Sequence, residues 1–143
     1  MSTMPEAYEF FDHTADIGVH IYGVTLEDLF RNAALALSQA IGELQKTEIR
    51  KQRTLELQTG SLEDLLHDWL AELLYEVEVH HILYNDIEFT KLTSGCLVAK
   101  LGGTSIDFSR SNANEEIKAV TYHQLRVEPQ PDGSWRATVI LDV

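Results

Sequence analysis

Thr25-Leu26-Glu27-Asp28-Leu29-Phe30-Arg31-Asn32-Ala33-Ala34-Leu35-Ala36-Leu37-Ser38-Gln39-Ala40-Ile41-Gly42 is the stretch that decides the fold. Leu26, Leu29, Phe30, Ala33, Ala34, Leu37, Ala40 and Ile41 recur at spacings of three and four, lining one face of a 3.6-residue helix. Both ends are marked. Thr25 can cap the start, Glu27 and Asp28 complement the positive end of the helix dipole, and Gly42 supplies a left-handed stop. A second stretch repeats the device: Ser61 caps, Glu63 and Asp64 follow, and Leu62, Leu65, Leu66, Trp69, Leu70, Leu73, Leu74 and Val77 form a wide apolar stripe. The alike openings Thr25-Leu26-Glu27-Asp28-Leu29 and Ser61-Leu62-Glu63-Asp64-Leu65 are read as one capping solution used twice. Two helices, about 25–42 and 61–80, are predicted, each with one face that a sheet must cover.

Outward from these helices the chain reads as strands. Val19, Ile21 and Gly23 end a strand before the first helix, and Thr54-Leu55-Glu56-Leu57-Gln58 alternates between the two. Ile87-Glu88-Phe89 and Leu97-Val98-Ala99 flank the turn signal Thr93-Ser94-Gly95. Gly102 to Asn114 is the most loop-like segment. Glu116 to Val127 and Trp135 to Val143 alternate around Pro129-Gln130-Pro131-Asp132-Gly133, which predicts an antiparallel hairpin. The fold class expected is α+β: a single compact domain, residues 1–143, with a largely antiparallel β-sheet packed against two amphipathic helices.

Composition narrows the partners. The 143 residues are 44% hydrophobic, enough for one substantial core and too few for two ordinary domains. There is one cysteine, which excludes an intramolecular disulfide. No segment reads as a signal sequence or approaches the ~20 apolar residues that cross a bilayer, which places the chain in the cytoplasm, away from membranes. Eleven basic against 23 acidic side chains leave a net charge of −12. Bare nucleic acid repels such a surface, so tight direct RNA binding is not expected, whereas a basic protein face or cations would be attracted.

Asp16, in the run Phe11-Asp12-His13-Thr14-Ala15-Asp16-Ile17-Gly18, and Asp142, next to Val143, would form a cluster of anionic oxygens if the fold joins them. Two aspartates with a terminal or main-chain oxygen suit a hard ion such as Ca²⁺, Mg²⁺ or Mn²⁺ and offer no soft ligand for zinc. Aspartates ending a β pattern are commonly only solvated, and on the residues alone both readings stand. If Glu128 lies opposite Ser134, the hairpin register pairs Val120 with Asp142 and puts Lys118 on the face of Asp142.

Five blocks together resemble the archease family: Asp12 to Gly18, the opening Thr25-Leu26-Glu27, Trp69-Leu70-Ala71-Glu72-Leu73-Leu74-Tyr75, Glu116-Ile117-Lys118-Ala119-Val120-Thr121-Tyr122-His123, and Val139-Ile140-Leu141-Asp142-Val143. Their order and spacing span essentially the whole chain. The resemblance implies a non-enzymatic protein cofactor of the RtcB-type ligase, which joins an RNA 3′-phosphate to a 5′-hydroxyl in tRNA splicing. It implies promotion of ligase guanylylation and of multiple turnover. It also implies a divalent-metal site, calcium first, held by Asp16, Asp142 and Val143, with Lys118 important for ligase activation. His13, Asp12 and His123 are placed beside these ligands rather than among them. Many relatives carry a histidine just before the Glu-Ile-Lys string, and Ser109 to Asn114 has none.

Two other classes compete. A general chaperone or modulator of RNA-modifying enzymes would use the same acidic surface without a metal. A metal-dependent phosphohydrolase would need a base and phosphate-binding cations, and the chain has no Gly-rich phosphate loop and few basic residues near the aspartates.

Overall fold

The two capped segments are the two helices of the computed structural model, which describes residues 6–13, 15–113 and 116–143. Helix α1 runs Leu26–Ile41 and helix α2 runs Leu62–His80. Thr25 and Ser61 each accept a hydrogen bond from the third following backbone N–H, Asp28 and Asp64, both at 3.1 Å. Gly42 ends α1 at φ 130°, a glycine region but not the left-handed helical one expected, and His81 ends α2 in the left-handed conformation instead.

Among the described residues there are ten strands: β1 Tyr8–His13, β2 Asp16–Gly23, β3 Gly42–Glu43, β4 Lys46–Gln58, β5 Ile82–Leu92, β6 Cys96–Ile106, β7 Asn112–Ala113, β8 Ala119–Val120, β9 Arg126–Pro129 and β10 Trp135–Asp142. All pairings are antiparallel. One sheet has the order β1-β2-β10-β8, with β9 also on β10; a second has the order β4-β6-β5; β3 and β7 form a short ribbon. The fold class is thus the α+β arrangement read from the sequence.

Alternation along β2 and β10 divides the first sheet into two faces. Ile17, Val19 and Ile21 lie opposite Leu141, Val139 and Ala137 and join the core shared with both helices. The even-numbered residues, Asp16, Gly18 and His20 opposite Asp142, Ile140 and Thr138, take the outer face. The inner face of the second sheet adds Leu55, Leu97, Ala99 and Leu101 to the same core. At its centre Trp69 is fully buried and donates Nε1–H to the carbonyl of Phe30 at 2.9 Å, which ties α2 to α1. One buried charge interrupts this interior. Glu76, on α2, pairs with Arg53 of β4, which also reaches Glu72 at 3.2 Å, and His80 Nδ1 lies 3.0 Å from the second Glu76 oxygen. Such a charge is tolerated because it is paired.

Three expectations are corrected. The segment 102–114, read as loop, is strand as far as Ile106, then a 3₁₀ turn at Phe108–Arg110, then β7; Asn114, its last residue, and Thr14 of the run 11–18 lie outside the described residues. Gly102-Gly103 signals close approach rather than a loop, because a Cβ at Gly103 would fall on the Leu83 carbonyl where β5 shifts register between Tyr84 and Asp86. Glu116 to Val127 is not one strand. It holds only β8 and β9, parted by a turn at Tyr122–Leu125 that puts Gln124 at φ 54°. The register departs from the expected one twice, at the β9–β10 connection, where Glu128 does not oppose Ser134, and again at this turn. Glu128 opposes Arg136 and Ala119 opposes Asp142, so Lys118 does not share the face of Asp142.

Candidate functional site

The site is built at the end of the first sheet where β1, β2, β8 and β10 meet. β1 ends at His13 and β2 begins at Asp16, these two lie opposite one another, and Ala15 has φ 60°. Asp16 is in turn opposite Asp142, and Asp142 is opposite Ala119. Directly opposed residues share a face, so His13, Asp16 and Asp142 lie together on the outer one. Val143, next in the chain, packs its side chain against the core and so fixes the main chain beside Asp142.

The turn after β8 closes the other side. The His13 and His123 rings meet edge to face at 5.2 Å, and Gln124 Nε2 lies 3.4 Å from His13 Nε2. Donation by that amide leaves the His13 proton on Nδ1, which is buried, has no hydrogen-bond partner, and lies 3.5 Å from Asp16 Oδ2. Of the three non-glycine residues with positive φ among those described, Ala15 and Gln124 both border this corner. Backbone held in a sparsely populated region is characteristic of sites where geometry matters more than stability.

Asp12 behaves differently. It opposes Ile17, which puts it on the face away from Asp16, where it is exposed. Lys118 also departs from expectation: its backbone N–H donates to the Asp142 carbonyl at 2.8 Å while its side chain is exposed. Gln124 carried no signal in the sequence, since nothing in Tyr122-His123-Gln124-Leu125 announces a turn.

The donor chemistry fits a hard cation in part. Two carboxylates directly opposite one another repel, and among the described residues no lysine or arginine bridges either of them. A cation between them would remove that repulsion. Among the described residues, no three His, Cys, Asp or Glu side chains are grouped to hold a metal, so a third oxygen would have to come from Val143 and the rest from water or a partner.

Beyond the corner, the outer face turns aromatic. The Phe11 ring stacks on His20 at 4.5 Å and covers Gly18 so closely that a Cβ there would collide with it. Burial, then the nearby Arg136, holds the His20 imidazole below its ordinary pKa.

Comparison with known proteins completes the description. The archease protein family matches residues 8–143. The chain belongs to the archease family. Protein archease of Thermococcus gammatolerans is 38% identical over 139 residues, covering 95% of this chain and 98% of that protein. The Methanosarcina barkeri protein archease is 38% identical, with the whole of both chains covered. The solution structure of Methanobacterium thermoautotrophicum protein 1598 superimposes with a TM-score of 0.72 at 28% identity, covering 96% of this chain and 99% of that one. An archease crystal structure from Thermotoga maritima, described as a possible chaperone, gives 0.71 at 24% identity over the whole of both chains and shares the fold. No helix of the described residues is long and apolar enough to cross a membrane.

Proposed function

We propose that this archease-family chain is a cytoplasmic protein cofactor of an RtcB-type RNA-splicing ligase, promoting guanylylation of the ligase and its multiple turnover on tRNA exon halves. The observation that carries the reading is the direct opposition of Asp16 and Asp142 on adjacent strands, beside Val143. In this proposal the two aspartates and an oxygen of Val143 hold a divalent cation, calcium first and magnesium or manganese next. The cation supplies positive charge at the contact with the ligase, and its remaining coordination sites stay open to water or to the partner. His13, turned by Gln124, keeps its Nδ1 proton toward Asp16, 3.5 Å from that carboxylate. Lys118 has its main chain on Asp142 and its side chain free to meet a partner or a phosphate. The net charge of −12 favours a protein partner with a basic face over direct capture of RNA.

A second reading, a general chaperone acting on other proteins, draws on the description of the Thermotoga relative. One experiment separates them: multiple-turnover joining of a 3′-phosphate RNA to a 5′-hydroxyl RNA by the host's ligase with GTP and Mn²⁺, alone, with this protein, and with its Asp16→Ala variant. The proposal expects stimulation by the wild type and not by the variant. Equal stimulation by both would favour the chaperone, and none by either would reject the ligase role.

A further inference from the structure

We propose that His67 is a positioning residue for the His13–Asp16 corner, acting through the turn after β8; the inference rests on the proposed site and names a residue it depends on. His67 projects from α2, far in sequence from either aspartate. Its Nε2 lies 2.9 Å from the Val120 carbonyl, which can only accept, so geometry places a proton there. Its Nδ1 lies on the helix side, 3.0 Å from Asp68 Oδ1. The Tyr122 ring lies flat on this imidazole, 3.9 Å between centroids and 14° between planes, although Tyr122 is 59% exposed. A stacked aromatic pair contributes beyond the area it buries, so this contact holds the exposed Tyr122 ring against α2.

What it fixes is the turn. Val120 ends β8, and Tyr122 begins the bend whose next two residues are His123, edge-on to His13, and Gln124, which reaches His13 Nε2 from a left-handed backbone. β8 is only two residues long, and just beyond it Thr121 ties the bend to β10, its N–H and its hydroxyl both donating to the Ile140 carbonyl at 3.0 Å. Two of the turn's remaining bonds are local ones, Leu125 N–H to Tyr122 O at 3.3 Å and His123 N–H to Thr121 Oγ1 at 3.2 Å. His67 supplies a tie from outside the hairpin. It holds Val120, which ends β8, and Tyr122, which begins the bend, and so adds to Thr121 in setting where His123 and Gln124 stand.

The test compares wild type, His67→Ala, Tyr122→Ala and Tyr122→Phe by amide hydrogen exchange over residues 121–125 and by ligase stimulation. Tyr122→Ala guards against a folding defect, since the ring it removes is mostly exposed. The proposal expects exchange in the turn to accelerate about tenfold in both alanine variants, the loss of one hydrogen bond or one stacked pair. Stimulation should fall at least as far, with α2 protection unchanged, and Tyr122→Phe should restore both. Unchanged exchange overturns the proposal, and so does faster exchange with undiminished stimulation. If the wild type itself fails to stimulate, the ligase reading is lost; the inference is then decided by whether the alanine variants lose the NMR cross-peaks between the His13 and His123 rings, and their persistence refutes it.

Discussion

Replacing Asp16 with asparagine should act in opposite directions with and without divalent metal. The side chain keeps its size and its neighbours, so the principal change is one negative charge removed from a pair placed directly opposite one another across β2 and β10. Like charges so placed cost about 0.2–1 kcal/mol. Without metal, Asp16→Asn should therefore stabilise the protein by about 0.5 kcal/mol. A domain of this length loses roughly 0.3 kcal/mol of stability per degree near its midpoint, so the melting temperature should rise about 1–3 °C. With calcium at a hundredfold excess over its Kd, the wild type should gain about 2.7 kcal/mol, or roughly 8–9 °C, and the variant little. Calorimetry at about pH 8 in EDTA and then in calcium reads both signs, above the range in which histidine ordinarily titrates. A variant less stable than wild type in EDTA would show that the carboxylates do not oppose one another. An equal calcium shift in both proteins would show that Asp16 does not bind the ion.

Other outcomes follow from single contacts. Arg53→Ala leaves Glu76 buried beside only His80 and should cost about 1–3 kcal/mol in urea unfolding, below a fully buried pair because Arg53 is 35% exposed, while Arg53→Met with Glu76→Leu should recover most of it. Trp69→Ala removes the largest fully buried side chain and its bond to Phe30, and should cost about 3–5 kcal/mol by the same measurement. His20 titrates below its ordinary value in the folded state, so its contribution is present above pH 6.5 and is lost as pH falls through the lowered folded value. Stability measured against pH should flatten over that window in His20→Gln. Asp12→Asn, on the opposite face from Asp16, should stimulate the ligase within about twofold of wild type, and a loss like that of Asp16→Ala would contradict the register.

The elements legible in the sequence are those whose signal is local. Thr25 and Ser61 announce α1 and α2 because a cap and a 3.6-residue stripe are written within a few residues of each other. Pro129 to Gly133 announces the β9–β10 connection for the same reason. The pairing of Asp16 with Asp142 is long-range, and no spacing specifies it; the five family blocks pointed to it. What stayed hidden depends on backbone conformations that no residue advertises. Gln124 adopts positive φ with neither Gly nor Asn beside it, so the break between β8 and β9 could not be read, and with it went the register that had put Lys118 beside Asp142. Gly102-Gly103 misled in the other direction, since glycine marks a loop and a crowded strand alike. His67 carried no signal because Val120 and Tyr122, which it holds, lie more than fifty positions away.

Phe11 lying over Gly18 means that the acidic corner has an uncharged point of failure. Any side chain at position 18 would push the Phe11 ring off β2 and disturb its stack on His20, two residues along β1 from His13. A Gly18→Ala protein would keep its net charge, both aspartates and both helices, yet lose the aromatic cover beside them. A search for inactivating changes confined to acidic or basic positions would pass over it, although this glycine is what lets Phe11 and His20 pack on the outer face that carries Asp16.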